Sequence, residues 1–117
     1  MNAYTMKDPR IHAVSQKVYQ AAKDTLGDKL DRVILYGSYA RGDFDSESDI
    51  DFFILADVPQ EEASKRRGDI RKLLPGIDLE YEIVVSLHVT GSAIFKQYRN
   101  TLPFYMNVAR EGVVLNG

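Results

Sequence analysis

Two aspartates one residue apart, Asp49 and Asp51, are the side chains best placed to do chemistry in this sequence. On an extended segment they project from the same side, while Ile50 and Phe52 turn to the other. Carboxylates held that close repel each other unless a positive charge lies between them. A hard divalent cation such as Mg2+ or Mn2+ is the natural partner, since it takes carboxylate and phosphate oxygens together. Upstream, Gly37-Ser38 breaks an apolar run. A glycine there permits close backbone approach, the following turn can offer amides to phosphate oxygens, and Ser38 adds a hydroxyl. A short helix beginning at that point would also favour an anion. Cation and phosphate sites side by side support displacement at phosphorus, with an activated hydroxyl attacking and pyrophosphate leaving. A Gly-Ser turn alone, or a polar strand start alone, is usually structural. Their combination between two buried strands is the specific signal.

A third carboxylate on a neighbouring strand would complete a two-cation site. The run IDLEYEIVVSL, Ile77 to Leu87, alternates as an extended segment should. Ile77, Leu79, Tyr81, Ile83 and Val85 share one face, and Asp78, Glu80, Glu82, Val84 and Ser86 share the other. Asp78, Glu80 and Glu82 are therefore all candidates, and periodicity does not choose among them. Arg41 reads equally well as a phosphate contact or as a salt-bridge partner of the acidic loop. Asp43, Asp45 and Glu47 read as solvated loop charges. Lys65, Arg66, Arg67, Arg71 and Lys72 are accounted for by Glu61, Glu62 and helix-end electrostatics rather than by nucleic acid. His12 and His88 read as structural or exposed. Tyr98, Phe104, Tyr105 and Met106 read as core first and as a partner surface second.

The elements that must hold these groups follow from pattern. Ile11, Val14, Val18, Ala22 and Leu26 recur at helical spacing, with Gly27 as a stop. Asp31–Tyr36 and Ile50–Ala56 are short apolar runs suited to buried strands, and Tyr39-Ala40-Arg41 fits a single helical turn before Gly42. Asp57 can cap a helix with Pro59 in its first turn, closed by Pro75-Gly76. A strand is expected over Ile77–Leu87, then helical stretches over Ser92–Tyr98 and Phe104–Glu111 interrupted near Pro103. Gly112 and a short terminal strand, Val113–Leu115, complete the expectation. This order describes an α/β (α+β) fold, a mixed sheet with helices packed against it. The helix between the second and third strands permits parallel pairing.

The 117 residues suffice for one domain, 1–117, with little left for a substrate-recognition lobe. Lys plus Arg number 15 against 17 Asp plus Glu, a net charge of −2 that gives no general footprint for nucleic acid. The absence of cysteine excludes disulfides and thiolate ligands. No apolar run approaches the roughly 20 residues that span a bilayer, and MNAYTMKDPR lacks a signal-peptide core, so no membrane partner and a cytoplasmic location are expected.

The segment GSYARGDFDSESDIDFFI, Gly37 to Ile54, resembles the signature of the DNA polymerase beta-like nucleotidyltransferase superfamily, particularly its minimal nucleotidyltransferase branch. That pattern is Gly-Ser, an interval, then Asp-x-Asp, and Ala40-Arg41-Gly42 and Ser48 also resemble the branch. The likeness is strongest over residues 32–56, moderate over 77–87, and extends to LPFYMNVAREGVV near the end. It implies a polymerase-beta-like core in which Gly37 and Ser38, with Arg41, hold a nucleoside triphosphate and Asp49 and Asp51 ligate Mg2+. Tyr81-Glu82-Ile83 best resembles the third family carboxylate, with Asp78 the competitor. It further implies transfer of AMP from ATP to a hydroxyl. Such domains are often found beside a HEPN-type protein partner, which can be the acceptor. The alternatives are a nucleotide-binding antitoxin or interaction module with little turnover, and small-molecule nucleotidylation in a homo-oligomer or beside another subunit.

Overall fold

Local signals set the start of the fold. In the computed structural model, which describes residues 8–45 and 47–115, α1 runs from Pro9 to Leu26. The Asp8 side chain accepts a hydrogen bond from the Arg10 amide at 3.0 Å, Pro9 occupies the first turn, and Gly27 ends the helix. Ile11, Val14, Val18, Ala22 and Leu26 are all buried, as their spacing predicts. A single 3-10 turn leads into β1 (Leu30–Tyr36). Then follow α2 (Ser38–Arg41), β2 (Ile50–Ala56), α3 (Gln60–Lys72), α4 (Ile77–Tyr81) and β3 (Val85–Gly91). The chain closes with α5 (Ser92–Tyr98), α6 (Pro103–Glu111) and β4 (Val113–Leu115).

The strands form one mixed sheet in the order β3-β2-β1-β4. β1 is antiparallel to both β2 and β4, whereas β2 and β3 are parallel and joined through α3 and α4. One face carries the main core. Val33 and Leu35, then Ile50, Phe52, Ile54 and Ala56, then Val85, Leu87 and Val89 pack there with the apolar stripe of α1 and with Ala63 and Ile70 of α3. The opposite face holds a smaller cluster, in which Ile34, Phe53 and Leu55 lie with Phe95 of α5 and Val108 of α6, and with Tyr36 and Tyr105 at its margin. Among the described residues no helix is long and apolar enough to cross a membrane.

Two expectations need correction. The strand expected over Ile77–Leu87 is a helical turn over Ile77–Tyr81, and the strand begins only at Val85. An alternation across five residues also places Ile77 and Tyr81 on one helical face, and both pack on the main core while Leu79 is 86% exposed. Glu82 then adopts a left-handed conformation, φ 53, and ends the turn. Further upstream, Pro59 rather than Asp57 is the N-cap of α3, and no side chain caps it. The Asp57 amide donates to the Lys29 carbonyl at 2.8 Å, which fixes the end of β2 against the turn before β1.

Three of the basic residues of α3, Arg66, Arg67 and Arg71, have structural partners. β3 lies at the edge of the sheet, and the Val84 carbonyl accepts from the Ile50 amide at 2.9 Å, so the alternate carbonyls of Val85 and Leu87 face outward. Arg67 donates to the Leu87 carbonyl at 2.8 Å, and Arg71 donates to that of Val85. Arg66 is tied to Glu62 and Asp69 within its own helix.

Candidate functional site

The antiparallel turn-back from β1 to β2 brings the two informative motifs together. Tyr36 pairs with Asp51, and Asp51 pairs with Ser86, so these three residues form one row across three strands on the same sheet face. Gly37 follows Tyr36 with φ +77, and a Cβ placed on it would lie 2.6 Å from Oδ2 of Asp51. Both the dihedral and the space therefore demand glycine. α2 is a single turn. The Arg41 amide donates to the Gly37 carbonyl at 3.1 Å and the Gly42 amide to that of Ser38 at 2.9 Å. No side chain caps its start, so the first amides of the turn have no helical acceptor. Buried Tyr39 stacks on Phe44 with centroids 4.2 Å apart and anchors the turn from below.

Burial first, and the charge of Asp49 second, push the Asp51 carboxyl up to about 6. Burial, followed by the charge of Asp51, raises the Tyr36 phenol well above its ordinary value and keeps it neutral. Among the described residues, neither the Asp49 nor the Asp51 carboxylate has a hydrogen-bond or ion-pair partner. Two uncompensated carboxylates beside a turn with free amides form an all-oxygen donor set. That set suits a hard divalent cation shared with phosphate oxygens, so Asp49 and Asp51 could hold such a cation.

No third carboxylate joins them. Among the described residues no group of three acidic, histidine or cysteine side chains converges on a common point. Asp78 is held by Arg71 and by the Val85 amide, each at 3.3 Å. Glu80 pairs with Lys17 at 3.4 Å. Glu82 is exposed at the end of α4, three residues before β3, and its carbonyl accepts from Arg10. The extended run that made Asp78, Glu80 and Glu82 equal candidates is absent over Ile77–Tyr81, and Glu82, singled out among them by the family resemblance, stands on the connection before β3. The residue beside Asp51 is Ser86, which the sequence placed on the candidate face but did not single out. Arg41 forms ion pairs with Asp43 at 3.2 Å and with Glu111 at 3.4 Å, both exposed and compatible with its turning to a bound phosphate.

Next to the row lies an aromatic cluster that sequence reasoning treated as core. Phe104 lies 5.7 Å from Tyr36, 5.8 Å from Phe53 and 5.9 Å from His88, centroid to centroid. Burial, and then the charge of Arg67, lower the pKa of His88.

A glycine turn without a side-chain cap, set against a carboxylate pair at one end of a mixed sheet, is an arrangement suited to nucleotides. Residues 16–102 match the nucleotidyltransferase domain family, and the chain belongs to it. One relative, a Methanocaldococcus jannaschii protein named as a candidate protein adenylyltransferase, is 51% identical over 61 residues, which cover 52% of this chain and 60% of that protein. The match thus spans less than two thirds of that relative. A second protein of the same organism and description is 35% identical over 95 residues, 81% of this chain and 87% of its own length. Among solved structures, a candidate nucleotidyltransferase from Sulfolobus solfataricus superposes with TM-score 0.64 at 16% identity, over 97% of this chain and 86% of that one. A toxin-antitoxin structure with AMP-PNP superposes with TM-score 0.55 at 22% identity, over 87% and 72%. At these identities the likeness is one of fold.

Proposed function

We propose that this domain transfers a nucleoside monophosphate, AMP from ATP, to a hydroxyl of a protein partner with release of pyrophosphate. The observation that carries the proposal is the contact of Gly37 with Asp51, where a Cβ would stand 2.6 Å from the carboxylate oxygen. Phosphate oxygens bound at the turn then meet the carboxylates directly. Gly37 and Ser38 hold the β- and γ-phosphates, and Asp49 and Asp51 hold Mg2+ or Mn2+. When bound, the cation supplies neutralisation of the triphosphate charge. The acceptor oxygen bonds to the α-phosphorus as the bond to the α–β bridging oxygen breaks. Pyrophosphate carries off the electron pair, and the hydroxyl proton passes to a base or to water. Arg41 reaches a phosphate by leaving Asp43 and Glu111, exposed pairs of a kind worth about 0–1 kcal/mol each.

A protein acceptor is favoured by the likeness to two Methanocaldococcus jannaschii proteins named as candidate protein adenylyltransferases. The toxin-antitoxin neighbour is compatible with a protein partner, and the family resemblance makes that partner HEPN-type. Leu102, Phe104 and Met106 are each 41–43% exposed, and Phe104 packs on Tyr36, so this part of the chain offers that partner apolar side chains. A cytoplasmic setting belongs to this reading, because ATP is the donor. The test is Mg2+-dependent transfer from alpha-labelled ATP in extract of the source cells, comparing wild type with Asp49→Ala/Asp51→Ala. Label on a protein with wild type alone is expected. No label where a control transferase works would overturn transfer and favour an interaction module.

A further inference from the structure

We infer that this chain holds one divalent cation with its nucleotide rather than two, because Ser86 stands where a third carboxylate would have to be. The inference rests on the nucleotide-binding reading above. A side chain that shares a cation with Asp51 across the sheet must come from a strand flanking β2, on the same face and at the same end. β1 supplies Tyr36 at that position and β3 supplies Ser86. One step further along this face the residues beside Phe53 are Ile34 and His88, and the His88 ring is packed with Tyr36 and Phe104.

Among the described residues no other acidic side chain converges with this pair on a common point, and several are engaged elsewhere. Residues 1–7, 46, 116 and 117 contain no Asp, Glu or His, so every side-chain carboxylate of the sequence lies among the described residues. Asp78 and Glu80 are engaged by Arg71 and Lys17. Asp43 is engaged by Arg41, and the Asp45 carboxylate accepts from the Glu47 amide and the Ser48 hydroxyl. Glu82 lies on the connection before β3 and outside the row. One cation can be satisfied by Asp49, Asp51, phosphate oxygens and water. A second, on the acceptor side, would have only a share of the same carboxylates and a neutral hydroxyl. Affinity for hard cations falls with the number of charged ligands. The base that receives the acceptor's proton is then no third carboxylate of this chain.

The test counts Mn2+ by electron paramagnetic resonance in complexes saturated with a non-hydrolysable ATP analogue, with retained nucleotide measured in the same samples. One Mn2+ per protein–nucleotide complex is expected for wild type and for Ser86→Asn, and two for Ser86→Asp. Two in wild type would overturn the inference, as would one in Ser86→Asp shown to be folded by circular dichroism. Should Ser86→Asp not fold, the wild-type count decides alone. Failure of wild type to retain nucleotide at all is a separate result, and it would remove the functional reading beneath the inference.

Discussion

The two faces of the sheet are built to different ends. Toward α1 and α3, Val33, Leu35, Ile50, Phe52, Ile54, Ala56, Val85, Leu87 and Val89 are no more than 7% exposed. The other face has a small cluster beneath α5 and α6, then gives way to Tyr36, Asp51 and Ser86, with Phe104 and Met106 still 43% and 41% exposed. Stability is concentrated where there is no chemistry. That allows the second face to carry features that destabilise a fold: a half-buried carboxylate, a like charge near it, and a positive-φ glycine against the first.

The largest effect that would separate the faces is functional. Asp51→Ala should lower nucleotidyl transfer by at least ~10^3-fold, about 4 kcal/mol in barrier, with a thermal midpoint equal to or above wild type. A drop in midpoint would make Asp51 a structural residue. On the covered face, Ile54→Ala should cost about 2–5 kcal/mol in urea unfolding and leave nucleotide affinity of the folded protein unchanged. Gly37→Ala joins the two effects. The dihedral and the clash should cost about 1–2 kcal/mol and weaken nucleotide binding by roughly tenfold or more, read by calorimetry.

The pH dependence of the metal-free protein sharpens the comparison further. Asp51 has a folded pKa raised to about 6, so the folded state holds its proton more tightly than the unfolded chain does. Its stabilising contribution is full below the ordinary carboxyl value and is lost as pH rises through about 6. Relative to Asp51→Asn, wild type should therefore lose stability between pH 4 and pH 7, by about 1 kcal/mol once solvent screening is allowed for. His88, lowered by burial, acts in the opposite direction but is common to both proteins. The smallest change should be Phe104→Ala, at most about 1 kcal/mol. If it cost as much as Ile54→Ala, the contrast between the faces would be wrong.

What could be read from sequence tracks how local each determinant is. Strand Ile50–Ala56 and the helix ending at Leu26 coincide with their apolar patterns, and β1 begins one residue earlier than expected. The meeting of Gly37 with Asp51 needed only two strands and a turn. β3 was misplaced because its start is fixed by pairing with β2, Ile50 against Val85, and nothing within residues 77–84 records that partner. Leu79 completes the alternation yet faces solvent, so the pattern that suggested a strand was not a burial pattern. Ser86 was passed over for a related reason: its importance comes from its neighbour across the sheet, and serine carries no charge to draw notice.

The guanidinium groups of Arg67 and Arg71 on the outer carbonyls of β3 reach beyond this one domain. An uncovered strand is a template on which another chain can lay a strand of its own, and repeated additions make fibrils. Here the helix that follows β2 occupies that template before a neighbour can, using charged groups that a bare backbone cannot easily displace. At the far side, β4 is only three residues long. Copies of this protein at high concentration are thus discouraged from growing into one another edge to edge.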